Sequence, residues 1–138
     1  MQITLVPKEH VYSCWPRVEP LLKLSADRTG GRFLTKDLQE SLLCNISTLW
    51  IIFDSEIIAS AMTRFVDYPN RRMMVIDHIG GEDVDEWGDL FFSTMDRWAR
   101  DNKCDGIEGY ARHGWAPILK KLGWKRPYSV FEKDLRSI

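Results

Sequence analysis

The sequence predicts a single mixed α+β domain over residues 1–138, with one sheet flanked by helices. Three apolar segments, Thr48–Phe53, Ile57–Val66 and Arg72–Ile79, are separated by short turn sequences and predict an antiparallel meander. The next segment, from Val84 to about Asn102, has apolar residues at helical spacing and predicts the longest helix. Strand and helix patterns then alternate, which adds a parallel strand and makes the sheet mixed but mostly antiparallel.

The N-terminal elements are predicted to be a strand and a helix. Gln2–Val6 has the composition of a short strand. Apolar residues recur at helical spacing through Val11–Leu24, but Pro16 and Pro20 interrupt the pattern. Proline lacks an N–H group and is best tolerated in the first turn. The helix is therefore predicted to begin near Trp15.

The remaining elements follow from similar patterns. Thr35 is predicted to cap a second helix over Lys36–Cys44. Ile107–Ala111 is a predicted strand, Trp115–Leu122 a short amphipathic helix, and Ser129–Leu135 a final, partly charged strand. The predicted order is β-α-α-β-β-β-α-β-α-β.

Composition excludes several classes of protein. The chain is 44% hydrophobic and 28% charged, which argues against disorder. Its net charge of −1 argues against nucleic-acid binding, because no overall positive field would attract a nucleic acid. It has neither a membrane-spanning apolar run nor a signal-peptide pattern, which predicts a cytoplasmic protein. The three cysteines are far apart, so reduced, buried thiols are expected. The histidines lack metal-ligand spacing, and no metal site is predicted.

Residues 104–124, CDGIEGYARHGWAPILKKLGW, carry a family resemblance. A strand, a glycine at Gly114, a short helix and the ending Leu122-Gly123-Trp124 resemble the C-terminal part of the GNAT N-acyltransferase fold. The predicted element order resembles that fold over nearly the whole chain. The resemblance implies transfer of an acyl group from acetyl-CoA to an amine substrate. It also implies a substrate site where the third meander strand and the following parallel strand separate.

The resemblance places a pyrophosphate-binding loop directly after the third meander strand. It implies Ile79, Gly80, Gly81 and Gly88 as cofactor-binding residues, although these glycines do not reproduce the family's spacing and no Arg or Gln opens the loop. Five carboxylates lie within Glu82–Asp89. Carboxylates suit any helix start, but they repel a pyrophosphate. We therefore expect acetyl-CoA affinity to be weak or absent.

The family's catalytic positions are only partly retained. The tyrosine that often protonates the CoA thiolate in this family corresponds to Leu119, which has no proton to give, and the asparagine position falls near Arg112. Asp77 and His78 end an apolar strand at the implied cleft. Strand neighbours face opposite sides, so only one of the two is expected to face the site. Either could act as general base, or both could simply close the strand.

The opposite lip of the implied cleft carries the other polar candidates. Tyr110 could replace the missing acid, or its ring could pack in the core. Glu108 and Arg112 share a strand face, and a structural ion pair is the plain interpretation.

Basic and aromatic residues gather near the C-terminus and suggest a protein-contact surface. The candidate contact residues are Trp115, Lys120, Lys121, Trp124, Lys125 and Arg126. At least one of the two tryptophans is expected to be exposed, since aromatics near cations suit protein contacts. The alternatives are a solvated helix face for the cations and core packing for both indoles.

Two hypotheses from different classes follow. The first is an acyl-CoA-dependent N-acyltransferase with a degenerate cofactor loop, using His78 or Asp77 as base. The second is a catalytically inactive GNAT-like protein that acts as an interaction or structural component. The run RHGWAPILKKLGWK is also similar to small GNAT-like proteins of tailed phages, which implies a host-cytoplasm or virion setting for the second hypothesis.

Overall fold

Five strands form one sheet in the order β1-β2-β3-β4-β5 in the computed structural model, which describes residues 1–136. The strands are β1 (Gln2–Val6), β2 (Thr48–Phe53), β3 (Ile57–Asp67), β4 (Arg72–Gly81) and β5 (Gly106–Gly109). Neighbours from β1 to β4 are antiparallel, whereas β5 runs parallel to β4. The predicted mixed, mostly antiparallel sheet is confirmed.

Helices cover both faces of this sheet. They are α1 (Val11–Asp27), α2 (Thr35–Leu43), α3 (Val84–Asp101) and α4 (Ala116–Lys121). α1 and α2 bury residues such as Leu22 and Leu38 against Met62 of β3, and we call this side the α1 face. α3 packs Phe91 against Met74 of β4 on the opposite side, the α3 face, and α4 adds to that second core.

The first helix is longer than predicted because its two prolines lie on the solvent side. α1 begins at Val11, four residues before the predicted start, and contains Pro16 and Pro20. Each proline withholds one N–H group from the carbonyl four residues earlier. Those carbonyls belong to Tyr12 and Pro16, which are both exposed, so water can hydrate them. The buried stripe of α1 keeps its packing, and the helix tolerates both prolines.

The start of α2 also differs from the prediction. Thr35 is the first helical residue rather than the cap, and Leu34 occupies the N-cap position. The Asp37 carboxylate accepts a hydrogen bond from the Leu34 N–H at 2.8 Å. A capping box has two hydrogen bonds, and this is the one in which the side chain of the third helical residue accepts from the N-cap N–H.

The C-terminal elements are shorter than predicted. β5 ends at Gly109 instead of Ala111, because β4 bulges after Ile76 and β5 loses its hydrogen-bonding partner. α4 is preceded by a 3-10 turn and covers only six residues. The predicted strand Ser129–Leu135 is wrong for the described chain, where residues 124–134 have no regular secondary structure. Its large apolar side chains have no face of the sheet to cover and remain exposed.

The cysteine expectation is only partly met. All three are free thiols, but only Cys14 is buried. Cys104 is half-buried and Cys44 is exposed just after the end of α2. Burial raises the pKa of Cys14. It also raises the pKa of Cys104, although that residue is less completely buried.

Candidate active site

A β-bulge in β4 opens the sheet between β4 and β5. Met62 of β3 lies opposite His78 and the next residue, Thr63, lies opposite Ile76, so Asp77 is an extra residue in β4. The parallel pairing with β5 stops at Ile76 and Gly109. Bulges bend the strand that carries them. In the described chain, residues 78–81 of β4 therefore have a strand partner only on the β3 side, and Asp77 has no strand partner on either side. We call the gap on their other side the β4–β5 opening.

The bulge changes where Asp77 and His78 point. The sequence predicted that these neighbours would face opposite sides of the sheet, and this is wrong. His78 contacts Ser25 of α1, and Asp77 contacts Arg64, which shares the α1 face with Met62 of the same strand. An extra residue removes the strict alternation, so both side chains reach partners on the α1 face.

His78 is the most buried ionisable side chain of this region, with 6% of its surface exposed. Its Nδ1 lies 2.7 Å from the Ser25 hydroxyl, and the edge of the Phe33 ring packs near the imidazole. Burial lowers the pKa of His78, while the charge of Asp77 acts in the opposite direction. The imidazole is therefore held neutral at neutral pH, which is the form a general base needs.

Asp77 is engaged by a cation. The Arg64 Nε donates to Asp77 Oδ2 at 2.7 Å, with the two side chains 32% and 18% exposed. Burial alone would lower the pKa of Arg64, but the hydrogen bond and charge of Asp77 outweigh burial and raise it. Because its carboxylate is already paired, Asp77 is a poorer candidate base than His78.

A tyrosine hydroxyl is the hydrogen-bond partner of Glu108 in β5. The Tyr68 hydroxyl donates to Glu108 Oε1 at 2.6 Å, and this bond raises the pKa of Tyr68 to about 12. Tyr110 and Tyr128 lie within electrostatic range of the same hydroxyl. The predicted pairing of Glu108 with Arg112 is not among the ion pairs of residues 1–136. Tyrosine, not arginine, is the partner of this carboxylate.

The tyrosine that follows β5 is accessible. Tyr110 is 62% exposed, which rules out the alternative that its ring packs in the core. It stands just beyond Gly109, at the point where β5 ends and the β4–β5 opening begins. Its side chain is therefore accessible to solvent beside the point where the pairing of β4 with β5 stops.

The predicted glycines lie in two different environments. Gly80 and Gly81 continue β4 opposite Ser60 and Ala59 instead of breaking the strand, and Ile79 precedes them in the same strand. A Cβ atom on Gly80 would lie 1.8 Å from the carbonyl oxygen of Leu21 in α1. Gly80 therefore permits the close approach of α1 to β4, whether or not a ligand also contacts it.

The other two glycine positions also have structural reasons. Gly81 has a φ of 148°, and a Cβ atom there would lie 2.7 Å from the Cβ of Ala59. Gly88 is buried inside the second turn of α3, where a Cβ atom would meet Val84 at 3.4 Å. Since its helical neighbours surround it, Gly88 is the least accessible of the predicted cofactor-binding residues.

Carboxylates surround the start of α3. Asp83 occupies the N-cap position with a left-handed backbone, and Asp85 and Glu86 lie in the first turn. An open groove of about 380 Å³ beside it has Leu21 and Leu24 of α1 on one wall and Glu82, Asp83 and Glu86 on the other. Phosphate binding at a helix start needs free N–H groups and a positive field. The carboxylates oppose that field, so this helix start does not fit a pyrophosphate.

The aromatic residues of the C-terminal segment contribute to the core. Trp115 and Trp124 both pack their rings against Phe92 of α3, at centroid distances of 6.2 Å, and both are half-buried. The expectation that at least one of them is exposed is wrong. The four cations named with them, Lys120, Lys121, Lys125 and Arg126, are exposed. A protein-contact surface on this segment would therefore depend on the charges of these four residues.

Ser25 and Arg64 are the site residues that sequence reasoning missed. Ser25 lies 53 residues before His78 and Arg64 lies 13 before Asp77. Arg64 carried a weak signal, since a charged residue stands within an otherwise apolar strand. Ser25 carried none, because a serine near a helix end is ordinary.

Two searches of the described residues complete the description. No cluster of three or more His, Cys, Asp or Glu side chains in residues 1–136 has the geometry to hold a metal ion. None of the described helices is long and apolar enough to cross a membrane.

Comparison with solved structures identifies the fold. A ribosomal-protein-alanine N-acetyltransferase from Brucella melitensis superposes with a TM-score of 0.73 at 12% identity, over 98% of this chain and 100% of that one. A predicted acetyltransferase from Clostridium acetobutylicum, crystallised with acetyl-CoA, superposes with a TM-score of 0.66 at 18% identity, over 99% of this chain and 97% of that one. An aminoglycoside acetyltransferase from a soil metagenome superposes with a TM-score of 0.70 at 9% identity, over 97% of this chain and 95% of that one. No protein-family model matches the chain, and no curated protein matches it.

These likenesses establish that the chain has a GNAT-like fold. Identities this low show the fold alone, since one fold hosts many functions. The neighbours give no support to a phage origin.

Proposed function

We propose that this protein is an acyltransferase that moves an acyl group from a pantetheine-type thioester to an amine. The observation that carries the proposal is the β4–β5 opening, where residues 77–81 of β4 present an unpaired backbone edge within the described chain. A pantetheine arm contains two amides and can pair with such an edge as an added strand does. The bound thioester would supply an activated acyl carbon to the amine.

His78 is the proposed general base. A base must be neutral at working pH, and burial keeps the imidazole in that form. The base role requires the tautomer in which Nδ1–H donates to Ser25 Oγ, which leaves Nε2 free to accept a proton from the amine. Ser25 therefore acts as a positioning residue for His78.

Tyr110 is the proposed proton donor for the departing thiolate. Its exposed side chain follows β5 directly, where the pairing of β4 with β5 stops. Leu119 occupies the position that the family resemblance assigns to a tyrosine, so the acid must come from another element. We place Asp77 in a supporting role, since its pairing with Arg64 fixes the bulge that creates the opening.

The donor is proposed to bind through its arm rather than its phosphates. Two like charges about 4–6 Å apart near a surface repel by on the order of 1 kcal/mol or more. Asp83, Asp85 and Glu86 would each oppose a pyrophosphate at the start of α3. Weak acetyl-CoA affinity is the expected consequence, with Ile79, Gly80 and Gly81 contacting the arm through their backbone.

An acetyl-transfer assay tests the proposal. Purified protein is incubated with acetyl-CoA and a panel of primary amines, and free thiol release is followed with His78→Gln and His113→Gln as a matched pair. His113 is exposed and outside the site. We expect loss of at least about 100-fold in rate for His78→Gln, in the range of general base catalysis, and no change for His113→Gln. Equal rates for the two variants would exclude His78 as base.

The acidic start of α3 favours one alternative, a catalytically inactive protein with a binding role. Its exposed cations at Lys120, Lys121, Lys125 and Arg126 would then meet an acidic protein partner. Absence of thiol release with every amine, from folded protein, would favour this alternative. Capture of a partner by wild type but not by Lys120→Glu with Lys121→Glu would support it directly.

A further inference from the structure

A patch of charged and aromatic side chains lies beside β5 on the α1 face, and we call its members Tyr68, Arg71 and Glu108 the β5 patch. Ile107 packs into the core of the α3 face, so its strand neighbour Glu108 projects from the α1 face. The Tyr68 hydroxyl donates to Glu108 Oε1 at 2.6 Å. Among residues 1–136 no other side-chain hydrogen bond or ion pair engages this carboxylate, so its Oε2 is free to accept.

Arg71 places a cation beside this carboxylate. A Cβ atom on Gly106 would lie 3.2 Å from Arg71 Nη2, and Gly106 and Glu108 belong to the same face of β5 because they are two residues apart. The Tyr68 N–H donates to the Arg71 carbonyl oxygen at 2.8 Å, which closes the turn that carries both side chains. Arg71 is exposed and is in none of the ion pairs of the described chain. The β5 patch therefore offers a carboxylate and a guanidinium that do not neutralise each other directly.

Aromatic rings and a neutral ion pair surround the β5 patch. Tyr110 and Tyr128 are exposed and lie within electrostatic range of the hydroxyl that binds Glu108. Aromatic rings attract ammonium cations. The second guanidinium of this face, that of Arg64, is already paired with Asp77 at 2.7 Å. An ammonium group at Glu108 would thus meet aromatic rings and a free carboxylate oxygen.

The β5 patch lies on the same face of the sheet as His78. Glu108 pairs with Val75, which precedes His78 by three residues in β4. A strand advances about 3.3 Å per residue and neighbouring strands are about 4.8 Å apart, which puts Glu108 and His78 roughly 10 Å from each other. An extended chain of about five carbons between two nitrogens, with a hydrogen bond at each end, spans this distance.

We propose that the acceptor of the acyl group is the side-chain amine of a free diamino monocarboxylic acid such as lysine, an inference that rests on the proposed function. The α-ammonium group would donate to Glu108 Oε2 beside the tyrosine rings, and the α-carboxylate would accept from the Arg71 guanidinium. The alkyl chain would follow β4 and bring the terminal nitrogen to His78. A simple monoamine would use neither charge of the β5 patch.

The transfer step balances with the groups already assigned. The terminal nitrogen would form a bond to the acyl carbon of the thioester as the C–S bond breaks. Its proton would pass to His78 Nε2, and the leaving thiolate would take a proton from Tyr110. No oxidant, reductant or further co-reactant is needed.

Isothermal titration calorimetry with four probes tests the subsite. Lysine carries both α-charges, cadaverine lacks the carboxylate, ε-aminocaproic acid lacks the α-ammonium group, and Nα-acetyl-lysine amide lacks both. We expect lysine to bind with a dissociation constant of about 1 mM or tighter, and at least about tenfold more tightly than each other probe. Equal affinity for lysine and any other probe, or no binding of lysine at about 10 mM, would overturn the proposal.

Two charge-neutralising variants assign each preference to its side chain. Glu108→Gln should abolish the preference for lysine over ε-aminocaproic acid, and Arg71→Gln should abolish the preference over cadaverine. The matched controls are Glu9→Gln, just after β1 at the opposite edge of the sheet, and Arg97→Gln, exposed on α3. Both controls should keep both preferences, and circular dichroism confirms that all four variants are folded. Folded Glu108→Gln and Arg71→Gln proteins that behave like their controls would overturn the proposal.

The subsite and the proposed activity can fail separately, because calorimetry needs no acyl donor. Selective binding of lysine without thiol release would support the subsite and count against the proposed activity. Thiol release with the same kcat/KM for lysine and cadaverine would support the activity and overturn the subsite.

Discussion

Gly80 connects the packing of α1 to the geometry of the site, and Gly80→Ala tests this connection. The added Cβ would lie 1.8 Å from the Leu21 carbonyl oxygen and 2.7 Å from its carbon. Both are backbone atoms of α1, so no side chain can move aside and the helix itself must shift. Overpacking a core costs about 1–3 kcal/mol, and a backbone clash belongs at the upper end. We expect a loss of about 3 kcal/mol in the free energy of unfolding.

Urea and thermal unfolding measure this loss against a matched control. Gly114→Ala adds the same methyl group where no atom lies within 4 Å and should change stability by less than about 0.5 kcal/mol. For a chain of this size, about 3 kcal/mol lowers the melting temperature by roughly 10 °C. A Gly80→Ala protein as stable as Gly114→Ala would refute the packing argument. Lost acyl transfer with full stability would instead assign Gly80 to the donor.

Two further predictions concern charges beside the bulge. Burial lowers the pKa of His78 below its unfolded value of about 6.5. Its contribution to stability is therefore complete above about pH 6.5 and falls as pH drops through the folded pKa. His78→Gln should flatten the dependence of stability on pH below about pH 6.5, whereas His113→Gln should leave it intact. The ion pair is tested with Arg64→Met and Asp77→Asn, made singly and together in a double-mutant cycle on the free energy of unfolding. We expect a coupling energy of about 1 kcal/mol, since the pair is half-buried and hydrogen-bonded. A coupling energy near zero would show that the ion pair does not hold the bulge.

Most of the fold could be predicted from local patterns. The strands of the meander and α3 were located to within a few residues because their apolar periodicity reflects burial on one face. Because of Pro16 and Pro20, the predicted start of α1 was too late in the chain. The prediction used only the N–H group that a proline lacks, and it did not consider which side of the helix each proline occupies. Whether a carbonyl can meet water depends on tertiary packing, which the local pattern does not contain.

The site was less predictable because it arises from strand pairing. A bulge is a property of two strands, and nothing in the run from Ile76 to Gly81 marks Asp77 as the extra residue. The prediction that Asp77 and His78 face opposite sides of the sheet followed from regular alternation and failed at that irregularity. Their partners, Ser25 and Arg64, come from other elements and needed the fold to be known.

The failure at the C-terminus has a similar origin. Ser129–Leu135 has residues that favour strands, but a strand forms only where an edge and a covered face are available. In one copy of the chain, as described, that segment does not follow the edge of β5. The strand tendency of the segment is therefore not realised, and Phe131 stays exposed.

The central claim is that the donor is held by its arm and not by its phosphates. Acetyl transfer should therefore be measured with acetyl-CoA and with S-acetylpantetheine, which has the same arm and thioester but no phosphates. Because the start of α3 carries Asp83, Asp85 and Glu86, we predict values of kcat/KM within about threefold of each other, a difference below about 0.7 kcal/mol. A preference for acetyl-CoA of about 100-fold or more, or no transfer from either donor, would contradict the account.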